Sequence, residues 1–155
     1  MRDVILPVFF AFVASGAFSV IYNIRGLGVL ICAFGGGLAW FSYLLFAPLL
    51  QNEITQTFVA ALVISVYAEV MARVRKCPVT GYLLVAIFPL VPGGGIYYTM
   101  EYAMRGEVDQ FLLSFLHTLG LAGAIAVGVL LVSSAVRMWT AFRRQTPLPR
   151  KEDRP

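Results

Sequence analysis

The stretch Phe88-Pro89-Leu90-Val91-Pro92-Gly93-Gly94-Gly95 sits near the middle of an apolar run between Lys76 and Glu101. Pro89 and Pro92 each remove a backbone donor, and each ring clashes with the preceding helical turn. The three glycines supply no Cβ restraint and favour unwinding. Residues 79–88 and 94–104 are therefore expected as two half-helices joined by extended backbone. A proline-kinked continuous helix is the plainer alternative, but two prolines and three glycines exceed what a kink needs. If this run crosses a bilayer, the irregular backbone falls near the midplane, where it is tolerated only if protein buries it or it lines a cavity.

The rest of the chain says that it does cross one. The sequence is 59% apolar and 13% charged over 155 residues, with a mean hydropathy of +0.81. Soluble domains run nearer 45–50% apolar and about 25% charged. Four further apolar segments flank the proline-glycine run, so the five cover about 4–22, 27–50, 55–72, 79–104 and 110–136. At about 20 residues per membrane helix, five spans and short loops use nearly the whole length. Each run is apolar on every face, whereas a barrel strand would alternate, so each reads as a helix. The expected fold is an all-α integral membrane protein of five transmembrane helices, the fourth broken at the Pro-Gly motif. Residues 1–138 form the membrane domain and 139–155 a basic, disordered cytoplasmic tail.

Charge orients it. With five crossings, Arg25, Arg73, Arg75, Lys76 and the six basic residues from Arg137 to Arg154 share one side, ten of the twelve Lys and Arg. Arg2 and Arg105 lie on the other. That asymmetry places the N-terminus outside and the C-terminus in the cytoplasm. It also argues for an odd number of spans, since four or six would mix the two sets. The same clustering beside a hydrophobic run assigns the excess charge to lipid headgroups, and not to nucleic acid. Met1-Arg2-Asp3 lacks a basic leader, because Asp3 offsets Arg2, so the first helix is expected to be retained and not cleaved as a signal peptide. Cys32 and Cys77 fall at different depths and are not expected to pair. Neither has ligands at metal spacing, so no metal or cofactor is expected.

Within the spans, polar groups mark candidate sites. A break in a membrane helix exposes free N–H groups and a positive dipole end, suited to an anionic substrate group. The candidate substrate-binding residues are Pro92, Gly93, Gly94, Gly95 and Ile96, with Tyr97, Tyr98 and Thr99 as side-chain contacts. Glu69, the one carboxylate inside a span, is either an ion-coupling group or half of an interfacial i,i+4 pair with Arg73. His117 is either a proton relay or a hydrogen-bonded packing residue. With one histidine and no carboxylate in view to orient it, enzymatic chemistry is not expected. Gly120, Ala124 and Gly128 recur every fourth residue, a spacing that lets helix backbones approach closely. The third segment carries a small, polar stripe at Thr57, Ala61, Ser65, Ala68, Glu69 and Ala72, a face expected to pack against another helix or line a cavity.

The five-span layout, Tyr22-Asn23 closing the first helix and Phe88-Pro89-Leu90-Val91-Pro92-Gly93 in the fourth resemble the small subunit of the threonine/serine exporter family. That subunit corresponds to the C-terminal membrane half of fused members. The resemblance implies a larger five-span partner subunit with its own Pro-Gly break, and a two-part exporter of about ten helices. An odd span count per half would let two related halves face opposite ways as an inverted repeat. It also implies export of threonine and serine, or in some members succinate. All carry a carboxylate, the group that a half-helix N-terminus would hold. The expected function is thus one subunit of an ion-driven secondary exporter of small carboxylate-bearing metabolites. A non-transporting membrane scaffold and a channel are the alternatives.

Overall fold

The computed structural model describes residues 2–144, and among these no strand occurs. Six α-helices follow one another: α1 (Arg2–Ile21), α2 (Leu27–Phe46), α3 (Glu53–Arg75), α4 (Val79–Ile87), α5 (Gly93–Arg105) and α6 (Val108–Arg144). A short 3-10 turn, Phe88–Leu90, extends α4. Four helices are long and apolar enough to cross a membrane, or up to five if Val79–Leu90 and Gly93–Arg105 count as one span. The two members of that pair differ in direction by 56°.

Local chemistry sets the helix ends. The Asn52 side chain accepts a hydrogen bond from the Ile54 amide at 2.9 Å, capping α3. At its far end Lys76 adopts left-handed backbone (φ 53°), the Cys77 amide reaches back to Ala72 O, and Pro78 then blocks continuation. Asn23 is left-handed too (φ 56°) and accepts from Arg25 Nε at 3.1 Å, so the Tyr22-Asn23 pair does end α1.

Packing fixes the layout. α1 lies on α2, α2 on α3 and α4, α3 on α4 and α6, and α5 on α6. Small residues make these approaches close. A Cβ added to Gly36 would meet the Ser15 hydroxyl and lie 3.0 Å from Ala11 O, so the α1–α2 seam tolerates nothing larger than hydrogen there. One apolar cluster, Cys32, Ala68, Ala72, Tyr82 and Val85, ties α2, α3 and α4 together near the basic loop. A second, Ala39, Ala60, Ile64, Ala86 and Leu90, sits further along, with Ile87 and Ile125 against it.

The Gly120–Ala124–Gly128 face of α6 lies against α3. A Cβ on Gly120 would come within 2.8 Å of Ile54 Cδ1, one on Gly128 within 3.0 Å of Ala61 Cβ, and Ala124 is buried. Arg73 donates to Thr140 Oγ1 at 3.1 Å. Residues 54, 61 and 73 thus pair in order with 120, 128 and 140, and α6 runs parallel to α3. α5 folds back antiparallel on the start of α6, with Gly95 against Thr118 and Thr99 against Ser114.

Two sequence expectations change. α6 continues to Arg144, past the boundary expected at 138. Trp139, Thr140 and Ala141 are compatible with helix, and the Thr140 hydroxyl bonds back to Val136 O at 2.6 Å. The remainder of the expected tail, 145–155, lies outside the described residues. The break, moreover, is not midway along the bundle. It is level with Trp40, Tyr43, Glu53 and Thr57, close to the end of α2 and the start of α3. The run 79–104 is halved by its prolines, but its second half extends beyond α3. The break therefore halves its own segment without halving the bundle.

Candidate functional site

Pro92 ends the irregular backbone, and α5 begins at Gly93 with no side-chain cap. The Gly93 amide bonds to Val91 O at 2.7 Å and the Ile96 amide to Pro92 O at 3.1 Å. The Gly94 and Gly95 amides between them have no backbone acceptor among the described residues, which leaves donors and the positive end of a helix dipole together. Glycine matters here for the space it leaves: nothing lies within 4 Å of where a Cβ on Gly93 or Gly94 would stand.

A cavity of about 170 Å³ opens at this end. Pro92, Gly93 and Gly94 line one side, and Trp40, Tyr43, Glu53 and Thr57 face them. Phe88 anchors the break from behind by stacking on Phe18 of α1, ring centroids 3.8 Å apart. The Trp40 ring stacks on Tyr43 at 5.3 Å, and its buried Nε1 has no hydrogen-bond partner.

Of the residues expected from sequence, three, Pro92, Gly93 and Gly94, line this cavity. Gly95 instead faces α6, where an added Cβ would strike the Thr118 hydroxyl. Ile96, Tyr97 and Tyr98 are exposed on α5, at 49%, 65% and 54% of their surface, and are not among the cavity's lining. Thr99 is buried in the hairpin. Its hydroxyl donates to Gly95 O at 2.7 Å and lies 2.8 Å from Ser114 Oγ, a helix–helix tie.

Glu69 is far from this group. Its carboxylate is 3.8 Å from Arg73 Nε, the i,i+4 pairing that sequence spacing offered as one of its two readings. His117, by contrast, is beside the cavity wall: its Nε2 is 3.4 Å from Glu53 Oε2. A carboxylate is thus positioned against the histidine after all, brought there by the parallel packing of α3 and α6. Glu53, Trp40, Tyr43 and Leu121 were not picked out from sequence, whereas Thr57 lies on the small, polar face of the third segment expected to pack on a helix or line a cavity. Glu53 looks like an ordinary first-turn acid beside its Asn52 cap, and only the interhelix register gives it a second role. Among the described residues no cluster of three or more His, Cys, Asp or Glu could hold a metal ion.

Donors at an open helix end and a carboxylate thus meet across a cavity of about 170 Å³. The model of the family Threonine/Serine exporter, ThrE, matches residues 7–135. The chain belongs to the threonine/serine exporter family. The matched region contains the break, the cavity and all of α2 to α5. Membership makes this a multi-pass membrane protein with an exporter-type transport role, and the family is one of transporters. No curated protein and no solved structure matches the chain.

Proposed function

We propose that this exporter-family chain is one subunit of a secondary exporter of small carboxylate-bearing metabolites, threonine and serine first and succinate as a further candidate. It acts with a larger, related five-span subunit, driven by an ion gradient. The observation that carries this reading is the uncapped glycine start of α5 opening on a small cavity that also contains Glu53. The Gly94 amide in the cavity wall suits a carboxylate. Glu53 suits the ammonium group of an amino acid, and its contact with His117 couples the cavity to a group able to carry a proton. Succinate lacks the ammonium group, so threonine and serine fit the charge pattern better.

Five spans follow on this reading, with the bent pair counted as one. α4 with its 3-10 turn has 12 residues and α5 has 13. At 1.5 Å per residue neither covers the ~30 Å hydrocarbon core alone. The parallel run of α6 and α3 supports a crossing between them, because a re-entrant loop would return the chain to its starting side. N-terminus outside and C-terminus in the cytoplasm of a bacterial cell membrane then agrees with the distribution of Lys and Arg. A cysteine introduced at Asp153 should resist an impermeant thiol reagent in intact cells, and labelling there would reverse the orientation.

Transport is tested by leakage. Cells lacking this chain and fed threonine- or serine-containing dipeptides should accumulate the free amino acid, and unchanged efflux of threonine, serine and succinate would overturn the reading. Gly94→Leu, placed in open space, should leave the subunit folded and able to assemble with its partner but reduce efflux at least tenfold. A scaffold would keep partner activity in that variant.

A further inference from the structure

A second cavity, larger than the first, opens at the opposite end of the bundle. It encloses about 610 Å³ between the last turns of α3, the first turns of α4 and the inner part of α6. Its polar lining is Glu69, Arg73, Arg137, Thr80, Ser133 and Thr140, and its walls include Val79, Leu83 and Val136. The cleft exists because α4 and α6 both pack on α3, while no substantial packing joins α4 to α6.

The charges are arranged for a ligand carrying both signs. Arg137 has no acidic partner among the described residues and offers a guanidinium to a carboxylate or phosphate. Arg73 is shared between Thr140, at 3.1 Å, and Glu69, at 3.8 Å. The latter distance exceeds the 2.7–2.9 Å of a charge-assisted hydrogen bond. A carboxylate can accept about four hydrogen bonds, so Glu69, only 13% exposed, retains acceptor capacity facing the cleft. A site for simple anions would gain nothing from a carboxylate held in its wall. A zwitterion uses it.

The cleft also lines up with the first cavity. Along α3, along α6 and along the run from α4 into α5 the order is the same. Glu69, Leu83 and Val136 mark the cleft, Ile64, Ala86 and Ile125 come next, and Thr57, Gly93 and Leu121 mark the break cavity. The apolar cluster containing Ile64, Ala86 and Leu90, with Ile87 and Ile125 against it, therefore lies between two polar chambers.

We infer that this cleft is a binding site for a small zwitterion, its anionic group on Arg137 and Arg73 and its ammonium on Glu69. It is the loading chamber on the basic side of the apolar layer. The choice of a free amino acid as that zwitterion rests on the exporter reading. A phosphoethanolamine headgroup has the same pairing of charges and would reach the cleft from the membrane.

The test uses the full chain purified in detergent and in phosphatidylcholine nanodiscs, with threonine, succinate and phosphatidylethanolamine as probes. Threonine should bind, Glu69→Gln should weaken it at least tenfold, and succinate binding should not fall in that variant. Arg137→Gln should weaken both. Glu69→Gln is nearly isosteric, and Glu101→Gln, the same change in the α5 hairpin away from the cleft, controls for loss of a carboxylate elsewhere. Phosphatidylethanolamine retained in native mass spectrometry, lost in Arg137→Gln and not displaced by threonine, identifies the headgroup as the zwitterion. Threonine and lipid binding both unaffected by the two charge variants would overturn the proposal. Efflux separates it from the exporter reading. Loss of flux in Gly94→Leu together with full flux and binding in Glu69→Gln removes the cleft and leaves the exporter standing.

Discussion

Near the basic loop, Cys32, Ala68, Ala72 and Val85 are at most 2% exposed where α2, α3 and α4 converge. In the hairpin at the other end, α5 contributes a single buried residue, Thr99, and leaves Tyr97, Tyr98, Met100 and Met104 more than half exposed. The first region is a three-way contact made of alanines and β-branched or aromatic side chains. The second is a helix resting on one neighbour. A contact shared by three helices cannot yield at one point without disturbing the others, whereas α5 can move if one seam opens. The proline-glycine break stands at the boundary, so the backbone loses its regular ladder where the packing thins.

Mutations can break this contrast or sharpen it. The largest effect is expected on the packed side. Gly36→Leu drives a side chain into Ser15 and the Ala11 carbonyl and should cost about 3 kcal/mol or more. Size-exclusion profiles should lose the folded peak. A fully stable Gly36→Leu protein would show that the α1–α2 seam is as yielding as the hairpin. Next comes Gly95→Val, whose added atoms fall on the Thr118 hydroxyl. About 1–3 kcal/mol is expected, with partial recovery in the double variant with Thr118→Ala, read as thermal midpoints in detergent. Thr99→Val removes the bonds to Gly95 O and Ser114, for about 1 kcal/mol. Faster hydrogen exchange confined to α5 and the first turns of α6 should accompany it. Exchange spreading into α2 and α4 would mean the two regions are one cooperative unit. Smallest is Gly94→Ala, in open space at the first turn of α5. It should change stability by no more than about 1 kcal/mol, upward if at all.

The division also marks what could be read from the chain. Apolar runs and the clustering of Lys and Arg are local properties, so the helices and their expected direction were visible as segments. Pro89, Pro92 and the glycines act on their own backbone, and the irregularity falls where they are. Register between helices is not local. Whether the break lies at mid-depth depends on how far α4 slides along α3, which Ala86, Ile64 and Leu90 decide together. The same register brings Glu53 to His117 across 64 positions, and Arg137 into a cleft with Glu69. No spacing along one helix could announce either meeting. Tyr97 and Tyr98 show the converse: next to the break in sequence, they are exposed on α5 and do not line its cavity.

The length of α6 has a mechanical consequence. Its 37 residues extend about 55 Å, well beyond the ~30 Å of a hydrocarbon core. The backbone of α3 comes closest to its glycines at Gly128, where an added Cβ would lie 3.3 Å from the Phe58 carbonyl, roughly midway along it. A rod held there is a see-saw. Tilting by about 5° around that fulcrum swings the two ends about 2 Å in opposite directions, at 1.5 Å of arm per residue. One arm carries Thr118 and the α5 hairpin; the other carries Arg137 and Thr140. Widening one chamber would therefore narrow the other, and spin-label distances across the two ends should change with opposite sign.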